Sequence, residues 1–61
     1  MTKKVFDVIK YVKRCVEIND IKSMIEAIEY GWPQKLQGLT VEECLEMNYS
    51  CSESWTIEVE V

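Results

Sequence analysis

Trp55-Thr56-Ile57-Glu58-Val59-Glu60-Val61 alternates strictly between apolar and polar residues. The stretch reads as a β-strand with Trp55, Ile57, Val59 and Val61 on one side and Thr56, Glu58 and Glu60 on the other. A strand cannot stand alone, because its backbone N–H and C=O groups need a ladder. Two partners suggest themselves. Met47 to Cys51 can fold back through a turn in the serine-rich Ser52 to Ser54, or two copies of the terminal strand can pair across a dimer axis. The hairpin is the expectation for the fold, with the strand's outer edge left as an interface.

Upstream of this strand the period changes from two to about 3.6. From Lys3 to about Ile18, the residues Val5, Val8, Ile9, Val12, Cys15 and Val16 fall within about a 120° arc at roughly 100° per residue. Lys3, Lys10, Lys13 and Arg14 gather on the opposite side, and Thr2 is placed to act as N-cap. The expectation is an amphipathic helix, with its basic stripe read as a solvated face. Asn19 and Asp20 break the pattern, and Ile21, Met24, Ile25 and Ile28 then repeat at helical spacing up to Tyr30. Gly31 suits the left-handed position that ends a helix, with Trp32 set to touch Ala27 and Pro33 forbidding continuation. The two helices are expected to form a hairpin with their apolar sides facing.

Gln34 to Leu39 reads as a polar connector. Thr40 and Glu43 then have the spacing of a capping box, and Leu39 and Cys44 that of a hydrophobic staple, so a short third helix should run to about Met47. Val41, Cys44 and Leu45 would face the core, leaving Glu42, Glu43 and Glu46 outward. The fold class is therefore α+β: a two-helix N-terminal hairpin, a short third helix and a small C-terminal antiparallel β element. Residues 1–61 form one small domain, because a chain this short supports only one core, and that core lies near the minimum that folds unaided.

No apolar run approaches the roughly 20 residues of a membrane span, and the lysine-containing start leads into an amphipathic stretch instead of a signal peptide's apolar core. A cytoplasmic protein with no membrane partner is expected. Cys15, Cys44 and Cys51 cannot all pair within one chain and show no CxxC spacing, so reduced, mostly buried thiols are expected in place of a disulfide scaffold.

Histidine is absent. That removes the usual general base, the usual partner of a nucleophilic serine or cysteine, and the commonest zinc ligand. Three cysteines are too few for an all-thiolate structural zinc site. Paired carboxylates need an enclosed apolar setting to work as acid and base, and so small a chain has little room for one. No catalytic residue, metal site or cofactor is assigned.

What remains is charge. Every basic residue lies at or before Lys35, while the rest of the chain carries Glu42, Glu43, Glu46, Glu53, Glu58 and Glu60 with no cation. Residues two apart on a strand repeat at roughly 6.6 Å, so Glu58 and Glu60 present regularly spaced charges able to imitate phosphates. Interface anchors are enriched in Trp and Tyr, and Tyr49, beside the serine run, is the aromatic residue most expected to be exposed. Glu42, Glu43, Glu46, Tyr49, Glu53, Glu58 and Glu60 are thus the candidate contacts to a basic protein of the kind that handles nucleic acid. A small acidic inhibitor or adaptor fits this pattern. Such economy suits phage or mobile-element products that disarm host machinery, as anti-CRISPR proteins do. Two alternatives stand beside it: a nucleic-acid-binding regulator using the stripe of the first helix, and a structural subunit that forms a homodimer through its C-terminal strand.

Overall fold

A computed structural model describes Met1–Val61. The fold is α+β, and the terminal strand is present, but its partner lies at the other end of the chain. Thr2–Phe6 forms strand β1, which pairs antiparallel with β2, Thr56–Glu60, in the register Thr2 to Glu60, Lys4 to Glu58 and Phe6 to Thr56. Neither a Met47–Cys51 hairpin nor a helix beginning at Lys3 forms. Helix α1 runs from Val8 to Glu17 and is capped by Asp7, not Thr2. One Asp7 carboxylate oxygen accepts the Lys10 N–H at 3.1 Å, and the other accepts the Gln37 side-chain amide at 3.1 Å. Gln37 returns the contact by accepting the Val8 N–H at 2.8 Å. These three bonds stitch the strand-to-helix corner to the middle of the chain. Asp7→Ala should therefore cost more than an ordinary cap, about 1–2 kcal/mol in a urea melt. A change below a few tenths would show the corner to be held by packing alone.

Asn19, with φ 58°, turns the chain into α2, Ile21–Tyr30, and Gly31, with φ 83°, ends it, its N–H donating to the Ala27 carbonyl at 2.9 Å. Instead of a polar connector, the chain then starts a further helix, α3, Trp32–Leu36. Pro33 stops α2 yet fits the first turn of α3, where its missing N–H would have had no partner and its φ is already helical. Pro33 and Leu36 are both buried. The expected capping box is present at the start of α4, Val41–Glu46, where Thr40 and Glu43 each accept the other's backbone N–H, at 3.2 and 3.1 Å. Its core contact is Cys44; Leu45, expected inside, is 57 % exposed. A single 3₁₀ turn, Glu53–Trp55, leads into β2.

The core is aromatic. Phe6 is fully buried, with its ring centroid 6.1 Å from Tyr11 and Trp32 and 6.2 Å from Trp55, and Tyr11 meets Trp55 edge-on at 4.9 Å. Such tilted and edge-to-face pairs suit the ring quadrupoles. Burial pushes the Tyr11 phenol up to about 12, helped by a hydrogen bond with Cys15, so it stays neutral. No buried side-chain nitrogen or oxygen lacks a partner. The molecule measures only 35 × 23 × 14 Å, and nine of 61 residues are buried. One helical layer over the inner end of a two-stranded ribbon covers no more than that.

The ribbon's phase also differs from expectation. Thr56, opposite Phe6, is the buried residue of β2, while Ile57 is 38 % exposed and Val61 is 69 % exposed. Trp55 reaches the core from the 3₁₀ turn, before the strand begins. Val5, on the other face, is buried beside Thr40, with which it forms a lone β-bridge. The ribbon is thus covered at its inner end on alternate faces and projects into solvent at its outer end.

Candidate functional site

The ribbon decides how the charges lie. Glu58 and Glu60 occupy the same face as Phe6 and Thr56, farther out, and their cross-strand neighbours are Lys4 and Thr2. Helix α1 flanks that face, so a cleft of about 420 Å³ opens between them. One wall is basic, made of Lys10, Lys13 and Arg14; the other holds Glu53, Glu58 and Lys4. A shallower hollow of about 310 Å³ lies beyond, between Lys4, Glu42 and Glu53. Lys4 and Glu53 line both, forming the divide. Carboxylates from α4, the 3₁₀ turn and β2 therefore line the two hollows that meet at Lys4.

The seven candidate residues separate into groups. Glu42, Glu53 and Glu58 are brought together as just described. Glu46 lies one helical turn beyond Glu42 on α4 and is exposed, and Glu60 continues the line of Glu58 along β2. Glu43 is committed to the capping box. The Thr40 N–H, followed by the Thr40 hydroxyl, holds its carboxyl below the usual carboxylate range, and Lys3 adds to the effect. A carboxyl depressed in this way stabilises the fold above its unfolded pKa, and that support fades as pH falls through the lower folded value. Tyr49 is half-buried, not exposed, and stacks on Trp32 with centroids 6.2 Å apart.

The acidic half is not a separate anionic end, because β1 inserts Lys3 and Lys4 into it. Yet none of its six glutamates makes an ion pair within 4.0 Å; the molecule's single salt bridge joins Arg14 to Glu17 at 3.4 Å. Apart from Glu43, the glutamates therefore remain free to meet external cations, their negative potential weakened by Lys4. Two contributors were not legible from the sequence. One is Lys4, placed here only by strand pairing; the other is Leu45, an exposed apolar residue between Glu42 and Glu46.

Little else in the molecule offers chemistry. Cys15 and Cys44 are buried free thiols, as expected, and burial together with the neighbouring Cys44 pushes the half-buried Cys51 up to about 11, well away from a reactive thiolate. No group of three Cys, Asp or Glu side chains is placed to hold a metal ion. No helix is long and apolar enough to cross a membrane. No family model, curated protein or solved structure matches this chain.

Proposed function

We propose that this protein is a small non-catalytic binding module that docks on a basic protein surface and blocks it by occupancy. The docking side is formed by α4, the 3₁₀ turn and β2, with Glu42, Glu53 and Glu58 at its centre and Glu46 and Glu60 at its ends. One observation carries this reading. Carboxylates from three elements line two adjoining hollows that share Lys4, and none of them makes a direct ion pair either with Lys4 or with the basic wall of α1 across the cleft. Leu45 adds an apolar contact, as an interface needs beyond its charges. A protein that grips nucleic acid displays the lysine- and arginine-lined groove such an array complements. An inhibitor of a host nucleic-acid enzyme, encoded by a phage or mobile element in the manner of anti-CRISPR proteins, is the setting we propose for it.

Direct binding of nucleic acid has one feature in its favour, the basic wall of α1. A phosphate backbone entering that cleft would also meet Glu17, Glu53 and Glu58, so the four cations there attract it weakly. Pairing two copies along the free edge of β2 would bring Glu58 and Glu60 of each against the other's, a like-charge contact that costs stability.

Affinity capture from a bacterial lysate at low and raised salt, read by mass spectrometry, tests the proposal. The wild-type chain should retain basic nucleic-acid-binding proteins at low salt and release them as salt rises. The triple variant Glu42→Lys, Glu53→Lys, Glu58→Lys should lose at least about tenfold in retained amount, the effect of roughly 1.4 kcal/mol. Unchanged retention by the folded triple variant, or a gel shift of DNA or RNA that Lys10→Glu and Lys13→Glu abolish, would sink it.

A further inference from the structure

Helix α2 turns most of its apolar surface away from the core. Ile21, Ile25 and Ile28 are 37, 50 and 36 % exposed. Their spacing of four and three residues sets them in one stripe, the a/d pattern of a helix that packs against another. The core-facing side of α2 is different: buried Ala27 and half-buried Met24 lie roughly a quarter turn away around the axis. The expectation that α1 and α2 bury their apolar sides against each other therefore holds only in part. Twelve large apolar residues are exposed in this molecule, against nine buried residues of every kind, and a quarter of those twelve form this one stripe.

The charges beside the stripe specify what covers it. Lys22 and Glu29 lie on the same flank, on the side away from Met24, and are seven residues apart. If a second copy of α2 packs antiparallel about a twofold axis passing between Ile25 and Glu26, each Lys22 comes opposite the other copy's Glu29. A parallel copy would instead set this flank against the Met24 side and the body of its partner, and would leave both charges unmatched. The sequence of the flank is thus self-complementary in one orientation only.

We propose that the protein forms an antiparallel homodimer through the isoleucine stripe of α2, with two Lys22–Glu29 contacts at its border. This dimer does not use the acidic docking side and does not depend on the function assigned to it. If both hold, two docking sides are carried by one particle, and linkage raises their joint avidity for a repetitive or dimeric target.

Analytical ultracentrifugation of the full chain from micromolar to millimolar concentration tests this. The wild-type mass should rise from 7.2 kDa toward twice that value. Ile25→Glu should hold it at the monomer across the whole range. Lys22→Glu and Glu29→Lys should each weaken association about fivefold, since two exposed contacts change from attraction to repulsion at roughly 0.5 kcal/mol each, and the double exchange should restore it. These charge variants leave the stripe intact, so they report on the interface even if Ile25→Glu perturbs folding. A wild-type chain that stays monomeric throughout, a dimer untouched by Ile25→Glu, or a double exchange as weak as either single change would each overturn the proposal.

Discussion

Phe6→Ala is expected to remove the cooperative unfolding transition, or to leave only a remnant of it. Phe6 is fully buried and its ring meets those of Tyr11, Trp32 and Trp55. Truncating a buried phenylalanine costs about 3–5 kcal/mol, from lost transfer energy and the cavity left behind. A chain of this length has a total stability of only about 3–9 kcal/mol at the usual value per residue. The loss is thus comparable to the whole. Tyr11 is buried, Trp32 and Trp55 are partly buried, and the backbone bonds of Phe6 to Leu39 and Gly38 hold the ring's base in place, which limits how far the site can collapse to fill the hole. Trp32 and Trp55 make the variant easy to follow, because their fluorescence reports on this cluster. Tyr30→Ala is the matched control: at 85 % exposure it should stay within about 0.5 kcal/mol of wild type. A Phe6→Ala melt as steep and as late as that of the control would show that the aromatic cluster is not what holds the molecule together.

The same residue marks where the sequence was hard to read. Val5 shares the helical arc of Val8, Ile9 and Val12, so the period of the first helix runs back without a break to Lys3. Phe6 does not share it. It falls about 100° off Val5, toward the lysines, and no amphipathic helix buries a residue there. Together with Asp7, a good N-cap standing three residues before Lys10, that misfit was the available sign of a boundary. It did not identify a strand, because Thr2–Phe6 becomes one only by pairing with residues 56–60 at the far end of the chain. Pro33 was ambiguous for a related reason, since the property that ends one helix suits the first turn of the next. Local chemistry was legible: the left-handed Gly31, the Thr40–Glu43 box and the alternation of β2 are each set by neighbours within a few residues. The candidate site was half legible. Counting charge along the chain found the glutamates that gather, but Lys4 among them follows from the ribbon and from nothing near it in sequence.

Val5→Pro separates the two readings of the first residues in a single measurement. Were Lys3 the first residue of a helix capped by Thr2, position 5 would lie in its first turn, where backbone N–H groups have no partner and proline is tolerated. In the ribbon the outcome is different. Phe6 gives its N–H to Leu39 at 2.7 Å and accepts the Gly38 N–H at 2.9 Å, so its backbone points away from β2; by alternation that of Val5 points toward Ile57. Proline there removes a ladder bond in a two-stranded sheet that has few, and replaces a side chain that is 4 % exposed. A loss of about 2–4 kcal/mol is expected, a large share of the total. Lys4→Pro is the internal comparison, because the Lys4 N–H points away from β2, toward the side where Gly38 to Thr40 run, and donates no backbone hydrogen bond there, so proline costs none. It should lose much less, provided residue 3 tolerates the restriction that a following proline imposes, which extended backbone does. The contrast between adjacent positions is the diagnostic quantity: a helix would treat them alike, whereas a strand whose ladder bonds to its partner fall on alternate residues must distinguish them. Equal and small losses at both would return these residues to the first helix, and would withdraw Lys4 from among the glutamates as well.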